Sequence, residues 1–118
     1  MAVRGIRGAT AVKQDTSEGV LAATRELLEA IVAANRLSID DVASIIFTVT
    51  PDLKSEYPAR AARLLGWTNV AAIGATEMDV AAGLRRCIRV LLHVNTDTPS
   101  SQIKHIYLHE ARTLRPDR

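Results

Sequence analysis

Residues 85–94, RRCIRVLLHV, read as a buried β-strand and bear most directly on the fold class. Successive side chains of a strand point to opposite faces, so one face of this segment is aliphatic after its first residue. That face carries Ile88, Val90, Leu92 and Val94. On the other face, Arg89 stands between Cys87 and Leu91. An unpaired buried charge costs several kcal/mol, so Arg89 needs an acceptor unless its face is wet, and alternation alone leaves both readings open.

The rest of the chain alternates strand-like and helix-like segments. We expect strands at 2–12, 42–50, 69–75, 85–95 and 104–111, and helices up to about residue 35 and from 58 to 66. Asp15 is the expected cap of the first helix, with Glu18 completing a capping box. The order β-α-β-α-β-β-β predicts an α+β domain with a mixed sheet and helices on one face. The uncovered face predicts self-association, and the polar tail from about residue 112 is expected to be mobile.

The composition is that of one globular domain. The chain has 118 residues, 47% hydrophobic and 24% charged, which leaves no room for a second domain. It contains no run of about 18 apolar residues, so no membrane span is expected. Cys87 is the only cysteine, which excludes an internal disulfide and favours a reducing cytoplasm.

Arginine dominates the positive charge. Twelve of the 15 basic residues are arginines, which are good bidentate partners for carboxylates and phosphates. No basic run exceeds two residues, and aromatic residues make up only 3% of the chain. Dispersed charge and few aromatic residues argue against nucleic-acid binding and favour an anionic small molecule.

The first candidate site is RGIRGAT, residues 4–10. With strand alternation, Arg7 lies between Gly5 and Ala9 on one face. The nearly absent neighbouring side chains allow close approach to the backbone, either by a ligand or by another packed element.

Two further pairs of charged residues are candidates. Glu77 and Asp79 are either an acid–base pair or a turn acid and a cap. Arg60 and Arg63 face the same way near the start of the short helix, where they either attract an anion or are simply solvated.

Nucleophilic and metal sites are excluded by distance. Cys87 and His93 are six residues apart, about 20 Å along a strand, so they cannot form a dyad within one chain. His105, Tyr107 and His109 alternate on the last predicted strand, and positions four apart are about 13 Å from each other. That separation is too large for one zinc ion.

Four segments occur in order across nearly the whole chain: RGIRGAT (4–10), TPDL (50–53), EMDVAAGLRRCIRV (77–90) and IKHIYLHEARTLRPD (103–117). Together they resemble the monofunctional chorismate mutases of the trimeric α+β class. Four separated motifs in register make the resemblance far more specific than any one of them.

The resemblance implies a homotrimer in which three sheets surround a barrel-like core, with active sites between neighbouring subunits. The implied reaction is the Claisen rearrangement of chorismate to prephenate, on the route to phenylalanine and tyrosine. That pericyclic reaction needs no nucleophile, acid, base, metal or cofactor. Catalysis then comes from selecting a compact diaxial conformer and stabilising negative charge on the ether oxygen.

The resemblance also implies residue roles. Arg89 would face the ether oxygen and one carboxylate, Arg7 would bind a carboxylate, and Glu77 would accept a hydrogen bond from the ring hydroxyl. The remaining implied contacts are Tyr107; Tyr57, Arg60 and Arg63 of the adjacent subunit; Ala59, Ile73 and the backbone of Gly74, where relatives carry a cysteine; and Leu114 and Arg115 in the tail.

A second hypothesis is a non-catalytic trimer that binds an anionic metabolite between subunits. Trimers of this shape with interfacial ligand clefts exist among the small imine deaminases and their non-enzymatic relatives. Binding alone would not require Glu77 together with Arg7 and Arg89 in this arrangement.

Overall fold

The computed structural model describes residues 2–114. Its helices and strands are β1 (Val3–Ala11), α1 (Ser17–Asn35), β2 (Val42–Val49), α2 (Ala59–Leu64), β3 (Ala71–Thr76), β4 (Cys87–Asn95) and β5 (Ile106–Tyr107). Short 3₁₀ turns lie at Ile39–Asp41, Ser100–Gln102 and His109–Leu114. The predicted order of helices and strands is confirmed.

Within the described residues the strands form one five-stranded sheet in the order β3-β2-β4-β1-β5. The central strand, β4, contains most of the segment RRCIRVLLHV and runs antiparallel to both β1 and β2. The outer strand β3 runs parallel to β2, and the outer strand β5 runs parallel to β1. The predicted α+β class with a mixed sheet is confirmed.

The core lies between the aliphatic face of β4 and the two helices. The four aliphatic side chains predicted to share that face are each at most 4% exposed: Ile88, Val90, Leu92 and Val94. Leu27 and Ile31 of α1 and Ala62 of α2 pack in the same cluster as Leu92. Burying each large aliphatic side chain stabilises the fold by about 1.5–3 kcal/mol. Helices therefore pack on this face, as predicted.

The start of α1 differs from the prediction. Asp15 is not the cap, because the Oγ1 of Thr16 accepts the hydrogen bond from the Gly19 N–H at 2.9 Å. The third helical position is then Gly19, so Glu18 cannot close a capping box. The Asp15 carboxylate instead accepts backbone N–H bonds of 3.1 Å from residues 54 and 55. It thereby ties the start of α1 to the loop before α2.

Two strand boundaries also differ. β4 begins at Cys87, and Arg86 precedes it with a left-handed φ of 48°. The predicted strand 104–111 is too long, because β5 contains only two residues and His109 has a φ of 54°. His109 therefore does not share a strand face with Tyr107. The tail predicted to be mobile from about residue 112 continues a 3₁₀ turn as far as Leu114.

The other face of the sheet, here called the second face, carries alternate residues of all five strands. Ile46 of β2 is paired with both Leu91 and Ile73 on this face. Ile46 is 36% exposed and Ile73 is 64% exposed, so apolar surface is left uncovered in the single chain. Such a surface is typical of an interface.

The corrected helix cap gives a stability prediction. Thr16→Ala should lower the free energy of unfolding by about 1 kcal/mol, because the Gly19 N–H loses its acceptor. Thr16→Ser keeps a hydroxyl at the same position and is the matched control. Urea unfolding followed by circular dichroism measures both, and equal midpoints for the two variants would contradict the assignment of the cap.

Candidate active site

The sheet brings three of the predicted site residues onto one face. Arg89 of β4 is paired with Thr48 of β2 on one side and with Ala9 of β1 on the other. Ala9 is in turn paired with Tyr107 of β5. Paired residues of neighbouring strands point to the same face, and Arg7 shares that face because it lies two residues before Ala9. Arg7, Arg89 and Tyr107 therefore all belong to the second face.

Glu77 reaches Arg89 from the end of β3. Its N–H donates to the carbonyl of Val49 at 2.8 Å, which continues the pairing of β3 with β2 by one residue. The Glu77 Oε2 then accepts hydrogen bonds from Arg89 Nη1 at 3.1 Å and from Thr48 Oγ1 at 3.2 Å. Arg89 therefore has a carboxylate acceptor, which is one of the two possibilities that its strand alternation left open.

The ion pair between Arg89 and Glu77 is only partly buried. The Arg89 side chain is 42% exposed and that of Glu77 is 22% exposed. A pair this accessible contributes about 0–1 kcal/mol to stability, so folding alone does not account for it. A cation and a carboxylate that remain accessible on a sheet face are available to a ligand.

Arg89 and Glu77 line a cleft of about 440 Å³, here called the Arg89 cleft. Its volume falls in the range of small-molecule sites. Leu114 and Asp79 are part of its wall, but Glu77, not Asp79, accepts the hydrogen bond from Arg89. The predicted pairing of the two carboxylates as acid and base gains no support from this geometry.

Cys87 also lines the Arg89 cleft, and it precedes Arg89 by two residues on β4. Burial raises the pKa of its thiol to about 11, an effect that the positive charge of Arg89 only partly offsets. The thiol is therefore protonated near neutral pH, and a protonated thiol is a poor nucleophile.

Arg7 precedes Ala9, the β1 partner of Arg89, by two residues. Its Nε is buried and has no hydrogen-bond partner among the described residues, which favours an anionic partner supplied from outside the chain. Its backbone N–H donates to His105 Nδ1 at 2.9 Å. Arg7 does not line the Arg89 cleft in this conformation.

Tyr107 is 8% exposed, and it forms a small cluster with Ala9 and Ala111. Leu84 and Leu114 pack against this cluster. Tyr107 therefore lies beneath the side chains that also line the Arg89 cleft, and Leu114 contacts both regions.

The residues predicted to come from an adjacent subunit lie elsewhere in the chain. Tyr57 is 76% exposed and lines a second cleft of about 470 Å³, here called the Tyr57 cleft, together with Gly74. Gly74 is paired with Phe47, so it points to the helical face of the sheet, whereas Ile73 points to the second face. None of the residues 2–114 lines both this cleft and the Arg89 cleft.

Arg60 and Arg63 have different surroundings. Arg60 Nη1 donates to Glu56 Oε1 at 2.7 Å, so its charge is already paired within the chain. Arg63 is exposed in the last turn of α2, which corrects the prediction that both arginines lie at the positive end of that helix. Ala59 begins α2 and packs against the main core.

Thr48 is a site residue that sequence reasoning missed. It donates to the same Glu77 oxygen as Arg89 and so helps to orient the carboxylate. The alternation of β2 places a hydroxyl near a strand end, but it says nothing about which residue lies across the sheet. Arg115, also predicted for the site, lies outside the described residues.

The described residues contain neither a metal site nor a membrane-spanning helix. Within 2–114, no group of three or more His, Cys, Asp or Glu side chains is arranged to hold a metal ion. None of the helices in that range has the length and apolarity needed to cross a membrane.

The family model described as chorismate mutase type I matches residues 3–118. The chain belongs to this family. The family resemblance inferred from four motifs is thereby confirmed. As a chorismate mutase, the protein is an enzyme of the isomerase class, with a place in aromatic amino acid biosynthesis.

Individual chorismate mutases agree closely with the chain. It is 48% identical to chorismate mutase AroH of Bacillus subtilis (strain 168), over 99% of this chain and 93% of that protein. It is 51% identical to chorismate mutase AroH of Thermus thermophilus, over 98% and 95%. A solved chorismate mutase from Clostridium thermocellum is 48% identical, with a TM-score of 0.91 over 92% of this chain and 97% of that one.

Glu56 gives a pH prediction. Hydrogen bonds from the Tyr57 N–H, from Ser17 and from Arg60 lower the pKa of Glu56 from 4.5 to about 2. A depressed pKa in the folded state adds stability that is fully present above pH 4.5 and is lost as the pH falls towards 2. The free energy of unfolding should therefore fall less steeply across this interval in Glu56→Gln than in the wild type.

Urea titrations at several pH values measure this slope. Ser17→Ala removes one of the three donors and should reduce part of it. Identical slopes for the wild type and Glu56→Gln would show that Glu56 has no such role.

Proposed function

We propose that the chain converts chorismate to prephenate in a cleft that two subunits of a homotrimer complete together. The proposal rests mainly on the Arg89–Glu77 pair, which lines an accessible cleft and shares a sheet face with Arg7 and Tyr107. Three further cationic or aromatic residues implied by the family lie away from that cleft in the same chain: Tyr57, Arg60 and Arg63.

Arg89 is proposed to stabilise the transition state. The ether bond breaks ahead of carbon–carbon bond formation, so negative charge grows on the ether oxygen. A guanidinium already fixed by Glu77 needs little reorganisation when that charge appears, and this preorganisation lowers the barrier. Holding chorismate in its compact diaxial form supplies the other part of the rate increase.

Glu77 is proposed to have two tasks. Its Oε2 orients Arg89, and the carboxylate also accepts the ring hydroxyl of the substrate. A carboxylate has about four lone-pair sites, and bonds from Arg89, Thr48 and the Met78 N–H account for three of them. One site therefore remains for the hydroxyl.

Arg7 and Tyr107 do not line the Arg89 cleft in the single chain, and they are proposed to bind the substrate carboxylates from the sheet face next to it. The unpartnered Nε of Arg7 is consistent with this role. Tyr107 lies beneath Leu84 and Leu114, so its hydroxyl must reach the substrate past these side chains. Leu114, with Arg115 after it, is proposed to close over the bound substrate.

The adjacent subunit is proposed to supply the opposite wall through Tyr57, Arg60 and Arg63. Ala59 and Ile73 are proposed to add further substrate contacts. Arg63, exposed at the end of α2, is the simplest counter-charge for the dianion. The Arg60 guanidinium is already paired with Glu56, so we expect Arg60 to contribute less than Arg63 to neutralising the dianion. Gly74 carries no side chain and contributes only through its backbone.

The homotrimer is supported by the uncovered second face. Exposed Ile46 and Ile73 require a covering layer, and three such sheets around a common axis would cover one another. We further propose that the enzyme works in the cytoplasm, where its single cysteine stays reduced.

The non-catalytic binding hypothesis makes a different prediction for one assay. The enzyme should remove the absorbance of chorismate with no metal or cofactor added, whereas a binding protein should leave the uncatalysed rate unchanged. The accessible Arg89–Glu77 pair and the family membership both favour the enzyme.

Arg89 carries the sharpest activity prediction. Arg89→Ala should lower kcat by at least about 10²–10³-fold, because the developing charge loses its preorganised partner. Arg89→Lys should also be severely impaired, since an ammonium group cannot bind Glu77 and the substrate in the same planar geometry. Near-normal turnover by Arg89→Ala in the chorismate assay would remove Arg89 from this role.

The shared cleft predicts complementation between two defective variants. Arg89→Ala and Arg63→Ala, refolded together in equal amounts, should regain roughly a quarter of the wild-type sites, because some clefts then combine two intact halves. Each variant refolded alone is the control, and gel filtration reports the trimer. A mixture no more active than the average of the two separate variants would place both arginines in one subunit's site.

A further inference from the structure

We propose that His105 is a positioning residue for Arg7: its imidazole takes the place of a backbone carbonyl at the edge of β1 and so sets where the Arg7 guanidinium stands. This inference rests on the proposed function, because it assumes that Arg7 binds a substrate carboxylate. It concerns a residue to which neither the fold nor the catalytic scheme above gives a role.

The first observation is the direction of the Arg7 N–H. The carbonyl of Ala9 accepts a hydrogen bond from the Leu108 N–H at 2.9 Å, so the backbone groups of Ala9 point towards β5. Residues two apart in a strand direct their backbone groups to the same edge, so the Arg7 N–H also points towards β5. In a regular parallel pair, a carbonyl of the neighbouring strand would accept it.

The second observation is that, in the described residues, the pairing of β1 with β5 does not extend to Arg7. The pairing of β1 with β5 covers only Gly8 with Ile106 and Ala9 with Tyr107. One residue earlier in the chain than His105, Lys104 is held by Asn35 of α1. Asn35 Oδ1 accepts the Lys104 N–H at 2.8 Å and Asn35 Nδ2 donates to the Lys104 carbonyl at 2.9 Å, so both backbone groups of Lys104 bond to α1.

The imidazole of His105 fills the gap. Its Nδ1 accepts the Arg7 N–H at 2.9 Å, so this nitrogen carries a lone pair and the ring proton is on Nε2. The bond joins the backbone of Arg7 to the segment that leads directly into Tyr107. Because β5 has only two residues, a side chain supplies a substantial part of the contact that fixes the spacing of Arg7 and Tyr107.

Removing the acceptor should displace Arg7 without unfolding the chain. A shift of about 1 Å at a substrate-binding group can cost about 10²-fold. Since Arg7 is proposed to bind the same carboxylate in the ground state and in the transition state, the loss should appear in KM more than in kcat. A merely structural role would instead lower the active fraction, which reduces kcat and leaves KM unchanged.

The test compares three substitutions in the chorismate assay, with circular dichroism as the check of folding. His105→Leu fills the same space without an acceptor, and its KM should rise about 10- to 100-fold. His105→Asn places an amide oxygen close to the position of Nδ1 and should restore a KM near the wild-type value. His109→Asn is the matched control, because the His109 Nε2 bonds the exposed Glu26 at 2.8 Å and His109 lies outside the site.

A double-mutant cycle ties the effect to Arg7. In an Arg7→Ala background, His105→Leu should cause little further loss, because the group that it positions is absent. If His105→Leu does not fold, His105→Gln replaces it, since its amide oxygen lies one carbon too far from the Arg7 N–H.

Three outcomes would overturn the inference: a normal KM for His105→Leu or its replacement, equal impairment of the Asn and Leu variants, or full additivity with Arg7→Ala. The proposed function fails separately, through absence of chorismate turnover by the wild type or normal kinetics of Arg7→Ala. If the wild type converts chorismate and Arg7→Ala is impaired, a normal KM for His105→Leu removes only the positioning role of His105.

Discussion

The arrangement of the site follows from how Arg89, on the face of the sheet, obtains a carboxylate acceptor. Its partner, Glu77, comes from the opposite side of β2, where the pairing of β3 continues one residue beyond the strand. The contact between Glu77 and Arg89 also depends on the register of β2 against β4, which sets Thr48 beside Arg89. A shift of register by one residue would send Arg89 to the helical face and break the pair.

The strand that carries Arg89 could be predicted because its information is local. Alternation along β4 separates four aliphatic side chains from the Arg89 face, and the structure buries all four. The same principle correctly placed Gly5, Arg7 and Ala9 on one face of β1. Periodicity reports which face a residue occupies, and for these strands that was sufficient.

The features that could not be predicted depend on contacts between distant residues. β5 is cut short because Asn35, 69 positions away in the chain, binds the backbone of Lys104. Asp15 resembles a helix cap by its position, yet its carboxylate is held by the loop at residues 54 and 55. Thr48 joins the site only because the sheet brings Glu77 to it. None of these contacts leaves a mark on composition or spacing.

In the proposed function, the strand β3 would link catalysis to assembly. All six of its residues are exposed in the single chain, and it is an edge strand whose outer side is paired with nothing in the described residues. It also ends immediately before Glu77. In the proposed trimer, neighbouring chains would shield this strand. The folding of β3 would then be coupled thermodynamically to the association of the subunits. Thermal stability would then rise with protein concentration by mass action, and dilution would loosen the Glu77 carboxylate before it unfolded the helical core.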